Sequence, residues 1–110
     1  MLAALCKKIG EPEDLVIGET PPPTMRDDQI RIRVRVCALN FPDILTVQGK
    51  YQHRPPLPFS PGMECAGEVI AVGAKAGNRF KPGDRVMAQP GVGCLAQEVC
   101  ASPNSVYAIP

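Results

Sequence analysis

Proline and glycine set the strongest limit on what this chain can fold into. Its 110 residues include 13 Pro and 10 Gly, roughly a fifth of the sequence. Proline removes a backbone donor and clashes with the preceding helical turn, and glycine is a poor helix former, so this composition argues against a helical bundle or a coiled coil. It is typical of a small, mainly β domain with many turns. The length allows one such domain and argues against two.

Runs of β-prone residues predict seven short strands, over residues 1–8, 15–19, 29–39, 63–72, 85–89, 95–101 and 106–109. In the 29–39 run, apolar residues alternate with three arginines and a cysteine; the apolar set is Ile30, Ile32, Val34, Val36 and Ala38. Period-two alternation predicts one buried face and one solvated face. The arginines lack interleaved aromatic residues, so they indicate a solvated face rather than a nucleic-acid site. Many short strands at close spacing predict a barrel or a sandwich.

One short helix is predicted after the 29–39 strand. Asn40 is a capping residue, Pro42 lies in the first turn, and Asp43 is an early carboxylate. The helix is expected to end at Gly49 in the left-handed conformation. Four prolines between residues 51 and 61 predict an irregular loop.

Charge and cysteine usage bear on partners and compartment. The 12 Lys and Arg nearly balance the 11 Asp and Glu, which gives no electrostatic drive toward nucleic acid or an anionic membrane. The sequence has no run of 18 apolar residues, so no membrane-spanning helix is predicted. The cysteines are odd in number, and the sequence shows no targeting signal, which together predict free thiols and a cytoplasmic location. We expect each cysteine to act as a small buried hydrophobic residue. The five are Cys6, Cys37, Cys65, Cys94 and Cys100.

Two motif searches give negative predictions. The chain has no C-x-x-C pair and a single histidine, His53 in the proline-rich loop, so we predict no metal site. The 91–96 segment formally matches G-x-G-x-x-[GA], but a dinucleotide fingerprint must open a helix with an acidic residue about 20 positions later. The following residues are predicted strands, so we expect these glycines to serve a hairpin.

A cluster of polar residues at element junctions is the candidate site. Asn40 and Asp43 lie at the strand-to-helix turn, Tyr51 follows the helix, and Glu64 follows Gly62 at a loop-to-strand junction. Polar side chains at element ends, next to glycines that let a ligand approach closely, are the usual position for a binding site.

Four motifs in order carry a resemblance to a known family. They are N-F-x-D at 40–43, G-x-Y at 49–51, P-G-x-E-x-x-G at 61–67 and P-G-D-R-V at 82–86. Together they resemble the medium-chain dehydrogenase/reductase superfamily, and most closely its zinc-independent quinone oxidoreductase branch. The resemblance implies a GroES-like catalytic domain over residues 1–110, a distorted β-barrel with one or two short helices. It also implies that a Rossmann cofactor domain lies outside this chain.

The resemblance implies hydride transfer from NADPH to a quinone or an α,β-unsaturated carbonyl. Asn40, Asp43 and Tyr51 are then the expected catalytic residues, with Asp43 bracing the turn. Asn40 and Phe41 are expected to border the nicotinamide. The implied substrate pocket adds four positions: Thr46, Tyr51, Met63 and Glu64.

Zinc is not expected. The resemblance places Asn40 at the position where zinc-dependent relatives have a cysteine ligand. It places Met63 where those relatives have a histidine ligand. The full-length enzyme is expected to be a homodimer that acts on a small molecule, and this chain alone is expected to be inactive. The alternative is a free-standing GroES-like module that binds a partner without catalysis, as a co-chaperonin does; the absence of a long glycine-rich loop argues against it.

Overall fold

The fold is mainly β, with one α-helix. A computed structural model describes all 110 residues. Its strands are β1 (Leu2–Leu5), β2 (Val16–Glu19), β3 (Ile30–Ala38), β4 (Glu64–Val72), β5 (Arg85–Ala88), β6 (Glu98–Ala101) and β7 (Val106–Ala108). The helix α1 spans Phe41–Val47, and single 3-10 turns cover Pro12–Asp14 and Pro103–Ser105.

The strands form two antiparallel sheets. β1 pairs with β2, and the larger sheet has the order β6-β3-β4-β5-β7. The segment 95–97 joins them, because its backbone bonds to both β1 and β3: the Ala4 N–H donates to the Leu95 carbonyl at 2.8 Å, and the Val34 N–H donates to the Gln97 carbonyl at 2.9 Å. The largest buried side chains of the core come from the larger sheet and include Ile30, Ile32 and Val69.

The predicted elements are confirmed, but every strand is shorter than predicted, and two of them are shorter by three residues or more. β1 ends at Leu5 because Cys6 forms only an isolated bridge with Phe59. β6 begins at Glu98, not residue 95, because the preceding residues bridge the two sheets. The left-handed Gly49 after α1 is confirmed, with φ of 71°.

The prediction of which β3 residues are buried is wrong for the second half of the strand. The register with β4 slips between Val34 and Val36, so Arg35 is the extra residue of a β-bulge. One extra residue reverses the alternation, since side chains repeat every two residues. Val36 is therefore 62% exposed, Ala38 is also exposed, and Cys37 packs against the core.

The expectation that the 91–96 glycines serve a hairpin is also wrong. β5 and β6 are not neighbours, because β3 and β4 lie between them in the sheet. The segment is a crossover loop, in which Gly91 and Gly93 adopt positive φ of 93° and 98°. No α-helix follows it, and the next element is strand β6, which agrees with the rejection of a dinucleotide fingerprint.

Candidate functional site

An open cleft of about 560 Å³ lies where three strand ends meet. Its walls come from the junction of β3 with α1, the beginning of β4, and the loop after β5. The residues that line it are Asn40, Pro42, Met63, Glu64, Gln89 and Gly91. The structure thus brings Asn40 together with Met63 and Glu64 from the predicted site, although Asn40 lies 23 residues before Met63.

Asp43 holds the floor of this cleft together. Its carboxylate is only 6% exposed and accepts two backbone hydrogen bonds, from the Asn40 N–H at 2.9 Å and from the Gly62 N–H at 3.1 Å. The first bond fixes the beginning of α1, and the second ties α1 to the segment that leads into β4. With both oxygens engaged by backbone donors, Asp43 is built to position its neighbours.

Gly62 permits this close approach. Its φ is +104°, and a Cβ there would lie 2.9 Å from the Cys37 sulfur and 2.9 Å from the Leu95 nitrogen. Residues that carry a side chain rarely adopt this backbone conformation, and contacts this short would force neighbouring atoms to move. The glycine therefore lets β3, the crossover loop and the cleft floor pack against one another.

The polar side chains in the cleft differ in how they are held. Asn40 begins α1 in a capping box with Asp43, and the NH2 group of its exposed side chain donates to no acceptor in the chain. Glu64 accepts a long hydrogen bond of 3.4 Å from the side-chain amide of Gln89. Asn40 can therefore donate to a ligand, while Glu64 and Gln89 form a loosely coupled pair on the opposite wall.

Sequence reasoning missed Gln89. It follows β5 directly, and its backbone N–H donates to the Ser105 carbonyl at 2.9 Å, which fixes it beside β7. Its position at the end of a predicted strand is the same signal that singled out Glu64. What the sequence did not reveal is that β5 pairs with β4, which places these two strand ends side by side.

The remaining predicted site residues lie elsewhere. Phe41 is 68% exposed at the beginning of α1, next to Asn40 but not among the lining residues. Thr46 is buried, and its hydroxyl donates to the Pro42 carbonyl at 2.8 Å, within the helix. Tyr51 is half-buried after α1 and does not line the cleft. The structure does not bring Thr46 and Tyr51 to this cleft.

Three cysteines lie under the cleft floor: Cys37, Cys65 and Cys94. Burial, and the negative charge of Asp43, raise the pKa of Cys37 to about 11. Contact between the Cys65 and Cys94 thiols lowers the pKa of Cys65, while the same contact and burial raise the pKa of Cys94. All five cysteines of the chain are unpaired thiols, as predicted.

Two further observations concern metals and membranes. No group of three or more His, Cys, Asp or Glu side chains is arranged to hold a metal ion. None of the helices has the length and apolar character needed to cross a bilayer.

Comparison with known proteins places these observations in a family. Residues 26–110 match the model of the alcohol dehydrogenase GroES-like domain. The chain is similar to quinone oxidoreductase-like protein 2 of Bos taurus, with 41% identity over 108 residues, which covers 98% of this chain and 30% of that protein.

Two solved structures have the same fold. The human synaptic vesicle membrane protein VAT-1 homolog-like protein superposes with a TM-score of 0.92 and 35% identity, over 100% of this chain and 35% of that one. The quinone oxidoreductase of Escherichia coli, in complex with NADPH, superposes with a TM-score of 0.90 and 28% identity, over 100% of this chain and 33% of that one.

The chain spans about a third of the length of these relatives. Its GroES-like fold and the order of its motifs both agree with the family match, which covers residues 26–110. The chain belongs to the alcohol dehydrogenase GroES-like domain family, and corresponds to the N-terminal domain of quinone oxidoreductase-like members of the medium-chain dehydrogenase/reductase superfamily.

Proposed function

We propose that this chain forms the substrate-side domain of an NADPH-dependent oxidoreductase that reduces a quinone or an α,β-unsaturated carbonyl. The observation that carries the proposal is the cleft itself, with an unpartnered amide donor on one wall and a carboxylate–amide pair on the other. Similarity to quinone oxidoreductases, one of them in complex with NADPH, supports the reaction class.

The chemical task of such a site is to stabilise charge on a carbonyl oxygen. Negative charge develops there as hydride reaches the substrate, and a fixed hydrogen-bond donor in a cleft favours that charge. Asn40 fits this role because its side-chain NH2 group is free to donate and its backbone N–H is held by Asp43. In this proposal Asn40 is the catalytic residue and Asp43 is a positioning residue.

The exposed rim beside Asn40 fits the reactive end of NADPH, which supplies hydride when bound. Leu39 and Phe41, the two chain neighbours of Asn40, are 66% and 68% exposed, which leaves an uncovered apolar surface on both sides of this polar residue. A flat nicotinamide ring needs an apolar surface of this kind and an amide partner. We propose that the rest of the cofactor is bound by a further domain, so that this chain alone is inactive.

The donor set supports a site without zinc. Asn40 and Met63 present an amide and a thioether beside the Glu64 carboxylate, whereas zinc sites use cysteine, histidine and carboxylate ligands. Met63 and Glu64 are proposed to contact the substrate. Tyr51 and Thr46 remain predicted pocket residues; Thr46 can serve the pocket only indirectly, through the stability of α1.

Kinetics of the enzyme that contains this domain test the proposal. Asn40→Leu removes the donor at similar size, and we expect kcat for quinone-dependent NADPH oxidation to fall by about 10²-fold, the effect of losing one oxyanion donor. Asn104→Leu, at an exposed position far along the chain, is the matched control and should leave kcat unchanged. Equal kcat values for wild type and Asn40→Leu would remove Asn40 from the site.

The isolated chain separates the two function classes. We expect no steady NADPH oxidation by the 110-residue chain in the presence of a quinone. If the chain instead captures a protein partner and the longer protein also lacks reductase activity, the free-standing binding module is the better description.

A further inference from the structure

Glu64 makes the candidate cleft negative, which limits the substrates that the cleft can admit. It is the only charged side chain among the lining residues, which include no lysine or arginine. A second carboxylate, that of Asp43, is buried at the cleft floor, where backbone N–H groups occupy both of its oxygens. The cleft is therefore negative although the whole chain has a formal net charge of +1, and it repels a substrate that carries an anionic group.

Gln89 holds one oxygen of Glu64 and leaves the other open. Cys65 is paired with Ala88 where β4 meets β5, so the next residues along, Glu64 and Gln89, are opposite neighbours at the two strand ends. The Gln89 side-chain NH2 group donates to Glu64 Oε2 at 3.4 Å, while no donor in the chain reaches Glu64 Oε1. The Gln89 backbone N–H is fixed on the Ser105 carbonyl at 2.9 Å. This wall of the cleft therefore presents an unfilled hydrogen-bond acceptor.

Asn40, on the facing wall, offers the opposite chemistry. Its side-chain NH2 group donates to no acceptor in the chain. A carbonyl oxygen only accepts hydrogen bonds, so it can bind the Asn40 amide but gains nothing from the Glu64 carboxylate. Negative charge that develops on this oxygen is also repelled by a carboxylate. The reacting carbonyl therefore points toward Asn40, and the remote end of the substrate faces Glu64.

We propose that the substrate is an unsaturated carbonyl compound that carries no negative charge and has a hydroxyl or N–H donor at the end remote from the carbonyl. This inference rests on the proposed function and narrows its substrate class. The carbonyl accepts from Asn40, and the remote donor binds Glu64 Oε1. A simple quinone has an acceptor at both ends and leaves the carboxylate without a donor, while an anionic substrate adds like-charge repulsion.

Three cyclohexenones test the assignment by their binding to the 110-residue chain. The parent ring is compared with one that carries a hydroxyl group, and with one that carries a carboxylate, on the ring carbon opposite the carbonyl. The cleft volume of about 560 Å³ admits a ring of this size. Titrations are followed by heteronuclear NMR, because the side-chain NH2 groups of Asn40 and Gln89 each give a signal.

The hydroxyl compound should bind with a Kd about tenfold lower than that of the parent, the smaller gain expected of a hydrogen bond to a charged group because the cleft is open. It should shift the NH2 signals of both Asn40 and Gln89. The carboxylate compound should bind more weakly than the parent.

The same substitution at two positions of β4 assigns the preference to Glu64. Glu64→Gln removes the charge at constant size, so the preference for the hydroxyl compound should fall to about threefold or less, and the penalty on the carboxylate compound should disappear. Glu68→Gln is the matched control and should leave both ratios unchanged, because Glu68 pairs with Arg35 at 3.1 Å and does not line the cleft. If Glu64→Gln fails to fold, the wild-type ratios still decide.

Kinetics of the enzyme that contains this domain separate the inference from the proposed function. If neither a quinone nor any of the three compounds supports NADPH oxidation, the proposed function fails. If the parent and hydroxyl compounds are reduced with equal kcat/KM, only the narrower substrate class fails. In the binding experiment, equal Kd values for these two compounds, tighter binding of the carboxylate compound, or Asn40 and Gln89 signals that respond to none of the three would each overturn the inference.

Discussion

Replacing Asp43 by asparagine gives the sharpest test of how the cleft floor is held. The carboxylate is buried and accepts one backbone N–H on each oxygen, from Asn40 and Gly62. Asparagine keeps one acceptor oxygen but turns the other into an NH2 group that faces a donor. A hydrogen bond to a charged acceptor contributes about 1.5–3 kcal/mol, so losing one and weakening the other should lower the free energy of unfolding by about 2–4 kcal/mol.

Urea denaturation of the purified chain measures this loss, and Asp14→Asn is a matched control. Asp14 accepts the Glu11 N–H at 2.9 Å in the same local arrangement, at the beginning of a 3-10 turn, but it is exposed and makes only that bond. Its substitution should cost about 1 kcal/mol or less. Equal losses for the two variants would refute the argument, because the buried second bond to Gly62 would then contribute nothing.

Two further predictions concern the surroundings of the same floor. Gly62→Ala should destabilise the chain by at least about 2 kcal/mol, because the new Cβ would lie 2.9 Å from both the Cys37 sulfur and the Leu95 nitrogen. Gly77→Ala is the control: its φ is also positive, at +83°, but the space around it is open, so it should cost about 1 kcal/mol. Thermal unfolding of the two variants measures the difference. Cys37 should react slowly with iodoacetamide at neutral pH and faster as the pH rises toward its pKa of about 11. Because a raised pKa means that the fold favours the protonated thiol, ionisation of Cys37 should also lower the stability of the chain as the pH rises above the ordinary thiol range. Peptide mapping identifies the alkylated cysteine, and fast alkylation of Cys37 at pH 7 would contradict both statements.

The sequence predicts most of the fold because its signals are local. Alternation marks β3, the capping residues Asn40 and Asp43 mark α1, and prolines mark the loop that follows it. The failures come from interactions between distant segments. A bulge at Arg35 exists only because β4 pairs with β3 in a particular register, so alternation alone wrongly buries Val36.

The candidate site divides in the same way. Asn40 and Glu64 could be chosen from their positions at element ends. Gln89 could not, because its place in the cleft depends on the pairing of β5 with β4. The approach of Cys37 to Cys94 was equally hidden, since the two residues are far apart in the chain and come together only at Gly62.

The P-G-x-E-x-x-G motif at 61–67 owes its residue types to packing more than to chemistry. Both backbone groups of Gly62 are used, its N–H by Asp43 and its carbonyl by the Cys94 N–H at 3.1 Å, and no side chain fits there. At Gly67 a Cβ would overlap the Arg33 carbonyl oxygen, next to the bulge in β3. Of the residues that define the motif, only Glu64 lines the cleft, next to Met63 at the first variable position. The two glycines therefore let the chain approach its neighbours closely enough to hold Glu64 opposite Asn40, and a substitution at either glycine should disturb the cleft without touching a ligand.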